Sequence, residues 1–228
     1  TLAEQLQEQL WPFYRDHNSE ESGRFDSGAI GRRRLKNAGL NYVAMLDDSA
    51  SHECAEQQFN SAQNMTDKMA ALGVIVNSNH PARQQCLDSF YRQWHEDALV
   101  VDKWFTIQAT CILENAFTGI QELMQHSAFD LKNPNRIRSL IGAFSQGNPL
   151  HFHGEKGQGY EFLADQIIVL NKINPQIAAR LAGALTQWRR YDQNRQKLMT
   201  AQLERIINSP DICKDLYEVV SKSLVKSN

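Results

Sequence analysis

Apolar residues recur along most of this chain at intervals of three to four positions, and polar residues fill the positions between them. Leu163, Ile167 and Leu170 show the pattern clearly, and Leu203 and Ile206 repeat it near the end. This spacing is typical of α-helices that bury one face. The intervening residues are mostly good helix formers, and runs of β-branched residues are scarce. The pattern therefore predicts an all-α chain.

About twelve helices are predicted from this periodicity and from local start signals. Asn133, Asn174 and Ser209 each precede a proline and each mark the start of a helix. The polar side chain caps the helix, and proline suits the first turn because it has no N–H to leave unpaired. The predicted helices lie at residues 2–17, 28–46, 52–61, 65–77, 81–95, 99–110, 112–125, 134–144, 157–172, 175–186, 191–207 and 212–225.

The connections between the predicted helices are mostly short, so neighbouring helices should pack antiparallel. A row of such helices favours an irregular superhelical array, similar to a HEAT-like solenoid, although the sequence shows no clean repeat. The longest segment predicted to lie outside helices is 145–159, which holds four of the twelve glycines. Long loops in compact helical domains are uncommon and often functional. A short loop is also predicted at 20–23.

Composition and charge narrow the possible partners. The net charge of −2 provides no electrostatic reason for binding nucleic acid or an anionic membrane. No apolar run approaches the roughly 20 residues that cross a bilayer, and the first residues lack the features of a signal peptide. The four cysteines form no C-x-x-C pair, which favours reduced thiols in a cytoplasmic protein.

Motifs for catalysis are absent from the sequence. A zinc-binding H-E-x-x-H motif needs a second histidine four positions after the first. Glu56 stands at that position after His52, and Leu99 stands there after His95, so neither segment predicts a zinc site. A nucleophile elbow, a phosphate-binding glycine loop and a dinucleotide fingerprint are missing as well. The residue pattern alone therefore predicts a helical array without an internal active site.

The histidine cluster in the 145–159 segment leaves one further reading open. His151 and His153 are two positions apart and Glu155 follows, but a third strong metal ligand is missing nearby. A self-contained hydrolase that uses these three residues is a further alternative. The stronger alternative is a stand-alone helical scaffold that binds protein partners through a concave face.

Several segments carry a resemblance to a known family. The longest is the twelve-residue stretch NPNRIRSLIGAF at 133–144, and VDKWF at 101–105 is the next. Shorter matches follow in the family's order, at 31–33, 35–37, 64–67, 70–72, 108–110, 159–160, 174–176, 180–181, 190–192, 195–196 and 215–218. Together these segments resemble the C-terminal helical domain of bacterial aminopeptidase N, an alanyl-type zinc aminopeptidase of the gluzincin class.

This resemblance implies that residues 1–228 are one accessory domain of a zinc-dependent aminopeptidase. The parent enzyme's zinc and catalytic residues would lie in a domain outside this chain, so the fragment itself is expected to bind no zinc and to be inactive. The domain would wall the internal chamber of the enzyme and contact peptide substrates. Its expected partner is its own catalytic domain, and the isolated fragment should be mostly monomeric with weak self-association. Nucleic acid and membrane partners are not expected.

The resemblance also implies three substrate-binding residues and no catalytic residue. Gln176 would border the pocket for the first side chain of the peptide, Arg180 would face its downstream side, and Arg138 would point into the chamber. Gln176 and Arg180 are i, i+4 neighbours, so a helix would present both on one face. The alternative for Arg138 and Arg180 is that they pair with acids such as Asp165 or Glu161 and hold helices together. The alternative for Gln176 is an ordinary polar residue at the N-terminus of a helix.

Overall fold

The computed structural model describes residues 1–18 and 26–225, and within these ranges all regular secondary structure is helical. The all-α prediction is therefore confirmed. The loop predicted at 20–23 lies outside the described residues. In the described part of the chain, no helix is both long and apolar enough to span a membrane. All four cysteines are free thiols.

The chain divides into two compact units, Thr1–Glu96 and Asp97–Asn228. The helices of the first unit are α1 (Leu2–Gln5), α2 (Gln7–His17), α3 (Ser27–Ala44), α4 (Ser49–Ser61), α5 (Met65–Val76) and α6 (Arg83–Trp94). The helices of the second unit are α7 (Ala98–Ala109), α8 (Ala116–Leu123), α9 (Pro134–Ile137), a π-helix (Arg138–Gly142), α10 (Ala143–Gly147), α11 (Pro149–Phe152), α12 (Gln158–Ile173), α13 (Pro175–Thr186), a 3₁₀-helix (Trp188–Arg190), α14 (Gln193–Ile207) and α15 (Lys214–Leu224).

A polar network centred on Asp67 lies in the core of the first unit. The Asp67 carboxylate accepts hydrogen bonds from Lys36 Nζ at 2.7 Å and from Asn37 Nδ2 at 2.9 Å. Gln58 Nε2 donates to the backbone carbonyl of Asp67 at 3.1 Å and to Asn37 Oδ1 at 2.9 Å. All four residues are buried. The network joins α3, α4 and α5. A buried charge is tolerated only when it is paired and hydrogen-bonded, so the charged groups of Asp67 and Lys36 hold these helices together.

The second unit has an apolar core to which α12 contributes most visibly. Leu163, Ile167 and Leu170 of α12 are fully buried, as the sequence periodicity predicted. Helix α12 packs against α13 and α14, and α15 packs against α13 and α14. Elsewhere in this unit, α7 packs against the π-helix and α10. Helix α13 also packs against α10, so α7 and α13 both contact the segment that runs from α9 to α10.

The predicted helix starts at Asn133 and Asn174 are confirmed, whereas the one at Ser209 is wrong, because α15 is capped by Cys213 and begins at Lys214. Asn133 Oδ1 accepts from the backbone N–H of Asn135 at 3.0 Å, and Asn174 Oδ1 accepts from that of Ile177 at 3.2 Å. Both helices have proline in the first turn. The side chain of each asparagine thus satisfies a donor that the first helical turn leaves without a backbone partner.

The prediction of a long loop at 145–159 is wrong, because most of these residues are helical. Helix α10 continues to Gly147, α11 follows, and α12 begins at Gln158. Gly157 precedes α12 in the left-handed conformation, with φ of +74°, which glycine adopts without strain. A Cβ on Gly159 would lie 2.5 Å from the Phe152 carbonyl oxygen. The glycines therefore serve a tight helix connection and a close backbone approach.

Two other predicted helices are interrupted or shorter in the structure. The predicted helix 2–17 breaks at Leu6, between α1 and α2. The predicted helix 112–125 begins only at Ala116. Asn148 accounts for part of this difference, since its Nδ2 donates to the carbonyls of Ala109 and Cys111 at 3.0 and 2.8 Å. The two carbonyls thus have a side-chain hydrogen-bond donor and do not need the backbone N–H groups that a continuous helix would supply.

Candidate functional site

A cavity of about 620 Å³ lies in the second unit, within the range of about 300–1,000 Å³ that small-molecule sites occupy. Three segments line it, and we call it the arginine pocket. Thr106 and Thr110 come from the end of α7. The run from α9 to α10 contributes Pro134, Arg138, Gly142, Ala143, Gln146 and Gly147, and the start of α13 contributes Asn174, Gln176, Ile177, Arg180 and Leu181.

All three predicted substrate-binding residues line this one pocket. Arg138 comes from the π-helix, and Gln176 and Arg180 come from α13. The tertiary structure thus brings Arg138 together with Gln176, which lies 38 positions later in the chain. Their role in binding stays a prediction. The sequence did not predict Thr106 and Thr110 as pocket residues, because nothing in the local pattern around α7 distinguishes them from other polar helix residues.

The start of α13 fixes where Gln176 and Arg180 lie. Asn174 caps the helix and Pro175 occupies the first helical position, so Gln176 is in the first turn. Arg180 follows one turn later on the same face. The side chains of both residues are exposed, whereas Ile177 and Leu181 beside them are buried. The helix therefore presents polar groups at the pocket and an apolar flank next to them.

Arg138 is the first residue of a π-helix, which the sequence did not predict. The backbone N–H of Ala143 donates to the carbonyl of Arg138, five residues earlier, and to that of Leu140. In an α-helix it would donate to Ser139 instead. The carbonyl of Ser139 accepts a hydrogen bond from Thr106 Oγ1 of α7 at 3.1 Å. A hydroxyl from a neighbouring helix thus takes up a carbonyl that the wider turn releases, and such turns occur often at functional sites.

The guanidinium of Arg138 is anchored on one side by its own segment. Its Nε donates to the Pro134 carbonyl at 3.1 Å, and its Nη2 donates to Asn135 Oδ1 at 2.9 Å. The side chain is exposed. A guanidinium has five N–H donors, so others remain for a ligand in the pocket.

Neither pocket arginine pairs with the acids that the sequence offered as alternatives. Asp165 forms an ion pair with Arg205 of α14. Within residues 1–18 and 26–225, Arg180 has no hydrogen bond or ion pair, and Arg138 has no ion pair. Across the described residues, Glu161 also makes no pair with either arginine. The helix-pairing alternative therefore does not describe Arg138 or Arg180 in this structure.

Arg136, two positions before Arg138, has the structural role instead. It is buried, and its Nη1 forms an ion pair with Asp102 of α7. Its Nε donates to the Ala128 carbonyl at 2.9 Å, and Nη1 also donates to the Ala98 carbonyl at 3.2 Å. Arg136 therefore holds α9 against α7, and Arg138 is left to face the pocket.

The charge of the arginine pocket is positive. Two arginines line it, and none of its lining residues is an aspartate or glutamate. Guanidinium groups bind carboxylates and carbonyl oxygens through charge-assisted hydrogen bonds. The pocket is therefore suited to an anionic or carbonyl-rich ligand, with apolar contacts available from Ile177 and Leu181.

His153 is held between two tyrosines and not by a metal-type ligand set. Its Nδ1 lies 2.8 Å from the Tyr160 hydroxyl, and its Nε2 lies 2.9 Å from the Tyr191 hydroxyl. Burial lowers the pKa of His153, and the nearby charge of Arg195 lowers it further. Burial raises the pKa of Tyr160 to about 12. This arrangement joins α12 to the segment before α14 and brings no third ligand to His151 and Glu155.

Nearly the whole chain matches a protein family. Residues 1–225 match the family described as "Domain of unknown function (DUF3458_C) ARM repeats". The chain belongs to the DUF3458_C family. Its ARM-repeat description is that of a helical, solenoid-like array, in agreement with the fold class predicted from the sequence.

Curated relatives of this DUF3458_C domain are bacterial aminopeptidases. The chain is 40% identical to aminopeptidase N of Escherichia coli (strain K12) over 224 residues, which cover 98% of the chain and 26% of that protein. It is 42% identical to aminopeptidase N of Haemophilus influenzae over 195 residues, which cover 86% of the chain and 22% of that protein. The chain thus spans about a quarter of the length of the curated relatives it matches.

A solved structure agrees with the sequence relationships. The DUF3458_C domain superposes on Legionella pneumophila aminopeptidase A in complex with aspartic acid with a TM-score of 0.89. The two sequences are 33% identical, and the match covers 98% of this chain and 27% of the Legionella chain. The predicted resemblance to aminopeptidase N is therefore confirmed at the level of the family.

Proposed function

We propose that this chain is the C-terminal accessory domain of a zinc-dependent aminopeptidase, a hydrolase that removes N-terminal residues from peptides. The proposal rests on one observation. Arg138, Gln176 and Arg180 share one cavity in a domain whose curated relatives are aminopeptidases. In this proposal the domain contributes contacts to the peptide and takes no part in bond cleavage.

The zinc ion of the proposed enzyme belongs to another part of the polypeptide. Within the described ranges, no group of three His, Cys, Asp or Glu residues lies close enough together to hold a metal ion. The residues present here therefore do not fit a zinc site. The chain spans about a quarter of its relatives, and the proposal assigns zinc binding and catalysis to the remainder.

The residues of the arginine pocket match the chemistry of a short peptide. The guanidinium groups of Arg138 and Arg180 can donate to a backbone carbonyl or to the C-terminal carboxylate. The amide of Gln176 can both donate and accept, as a peptide group requires. Leu181 and Ile177 provide apolar contact for a side chain. Binding of this kind holds the substrate in register for the catalytic domain.

The proposed place of this domain is the wall of an internal chamber, opposite the catalytic domain of the same polypeptide. A wall of this kind would admit peptides and exclude folded proteins. An amino acid is what an aminopeptidase releases, and the solved Legionella relative is a complex with aspartic acid. This ligand supports peptides and amino acids as the ligand class.

The experiment compares this chain with the parent enzyme, in which the chain is joined to its catalytic domain. Both are assayed with amino-acid p-nitroanilides, and their zinc content is measured by atomic absorption. The proposal predicts an active parent enzyme with stoichiometric zinc and a fragment that has neither zinc nor activity.

Two results would contradict the proposal. Zinc binding and amide cleavage by the fragment itself would move the chemistry into this chain, with His151, His153 and Glu155 as the first residues to substitute. A gene in which no catalytic domain precedes this chain would favour the alternative of a stand-alone scaffold that binds protein partners.

A further inference from the structure

Gly142 is the last residue of the π-helix and is buried beside the arginine pocket, which it helps to line. Its φ of −64° and ψ of −46° are those of an ordinary right-handed helix. Any L-amino acid adopts this conformation, so the backbone does not require glycine here. Gly157 differs in this respect, because its φ is +74°.

Packing does not require glycine at this position either. A Cβ on Gly142 would lie 3.8 Å from the Cβ of Arg138 and from the Ile137 carbonyl oxygen, and 3.9 Å from Cδ2 of Leu181. These are ordinary van der Waals distances. Gly159 again differs, because a Cβ there would lie 2.5 Å from a backbone oxygen. Glycine also destabilises a helix relative to alanine.

A side chain at position 142 would change one feature of the molecule, the space in the pocket. Two of the three atoms nearest to its Cβ belong to Arg138 and Leu181, and both residues line the same cavity. A larger side chain at position 142 would extend into the cavity between Arg138 and Leu181. The absence of a side chain keeps that part of the cavity open.

We infer that Gly142 is a specificity-determining residue, which sets the size of the peptide side chain that the arginine pocket accepts between Arg138 and Leu181. The inference rests on the proposed function and deepens it. The ligand class is a short peptide that presents a bulky apolar side chain to Leu181 while a carbonyl or carboxylate oxygen meets Arg138. Alanine at 142 would narrow this space, and leucine would fill it.

The test uses the parent enzyme with Gly142→Ala, Gly142→Leu and the control Gly183→Ala. Gly183 lies inside α13 and does not line the pocket, and beyond its chain neighbours and its own helix backbone no atom would come within 4 Å of its Cβ. The control therefore changes helix propensity to a similar extent without changing the cavity. Substrates are the p-nitroanilides of Ala, Leu, Phe and Trp and the dipeptides Ala-Gly, Ala-Leu, Ala-Phe and Ala-Trp.

We expect Gly142→Leu to lower kcat/KM about tenfold or more for the bulkiest substrates of either the p-nitroanilide series or the dipeptide series. The kcat/KM for the smallest substrates of the same series should stay almost unchanged. Gly142→Ala should produce a smaller change in the same direction, and Gly183→Ala none. Thermal unfolding checks that the variants are folded. If Gly142→Leu does not fold, the size dependence of Gly142→Ala decides the question.

A uniform change across both series, or the same change in the Gly183→Ala control, would overturn the inference. Failure of the proposed function is distinguishable from this result. If Arg138→Ala and Arg180→Ala also leave every substrate unaffected, the arginine pocket does not bind peptides at all. If those two variants lower kcat/KM but Gly142→Leu shows no size dependence, only the role of Gly142 is wrong.

Discussion

The buried guanidinium of Arg136 forms an ion pair with the partly buried carboxylate of Asp102 and thereby joins α9 to α7. Both helices also contribute residues to the arginine pocket. The pair therefore supports the walls of the pocket from within the core. Removing one partner of a buried ion pair leaves the other as an uncompensated charge.

Asp102→Ala should lower the free energy of unfolding of this chain by about 3 kcal/mol. Urea unfolding followed by circular dichroism measures the change. The control is Asp165→Ala, which removes the half-exposed ion pair with Arg205 and should change the free energy by less than about 1 kcal/mol. Equal changes in the free energy of unfolding would show that the Arg136–Asp102 pair stabilises the chain no more than the Arg205–Asp165 pair does.

Arg138→Ala and Arg180→Ala should each lower kcat/KM of the parent enzyme for short peptides by about tenfold, because under the proposed function each removes a charge-assisted hydrogen bond to the peptide. Lysine at either position should restore only part of the activity, since an ammonium group lacks the planar pair of donors. Arg190→Ala, an exposed arginine outside the pocket, is the control. Kinetics within twofold of the original for every peptide would argue against a binding role.

Gln176→Ala should change the order of preference among first residues of the substrate. The side chain lies in the first turn of α13 at the pocket, so its loss removes one polar contact and enlarges the space beside it. Steady-state kinetics on a panel of amino-acid p-nitroanilides gives the preference, and Gln176→Glu separates the effect of shape from that of charge. An unchanged order for both variants would remove Gln176 from the predicted site.

The stability of this chain should depend on pH through Asp67. Burial opposes the ionisation of Asp67, but hydrogen bonds from Lys36, Asn64 and Asn37 outweigh it and hold the pKa below its usual value. An unfolded aspartate has a pKa of about 3.9, so folding favours the ionised form. This contribution is fully present above about pH 5, begins to decline near the unfolded pKa, and is lost as the pH falls through the lower pKa of the folded state.

Asp67→Asn should therefore lower the free energy of unfolding at neutral pH and flatten its decline under acid conditions. Urea unfolding at several values between about pH 7 and pH 3 measures both effects. Asp88→Asn, at an exposed position of the same unit, is the control. Parallel stability curves for the original chain and Asp67→Asn would show that this carboxylate does not contribute to the acid sensitivity.

Most helices could be predicted from the sequence because helix signals are local. The periodicity placed Leu163, Ile167 and Leu170 on a buried face, and Asn174 with its proline marked the start of α13 within one residue. The i, i+4 spacing of Gln176 and Arg180 then required a shared face. These inferences depend on a few neighbouring residues, whose conformations are coupled by the helix itself.

The errors lie where distant residues decide the local conformation. The glycines of 145–159 predicted a loop, but close approach to Phe152 makes Gly159 necessary in the first turn of α12. The π-helix that begins at Arg138 depends in part on the hydroxyl of Thr106, which lies 32 positions earlier, as 138 − 106 shows. Periodicity carries no information about such contacts.

By itself, the sequence determined that the chain is all-α, where most of its helices begin, and which family it resembles. Only the tertiary structure decided that Arg136 is buried while Arg138 faces a pocket, and that α7, the π-helix and α13 close around one cavity. The physical reason is the range of the interactions. Helix propensity and capping act over a turn, whereas burial and pocket shape depend on which helices pack together.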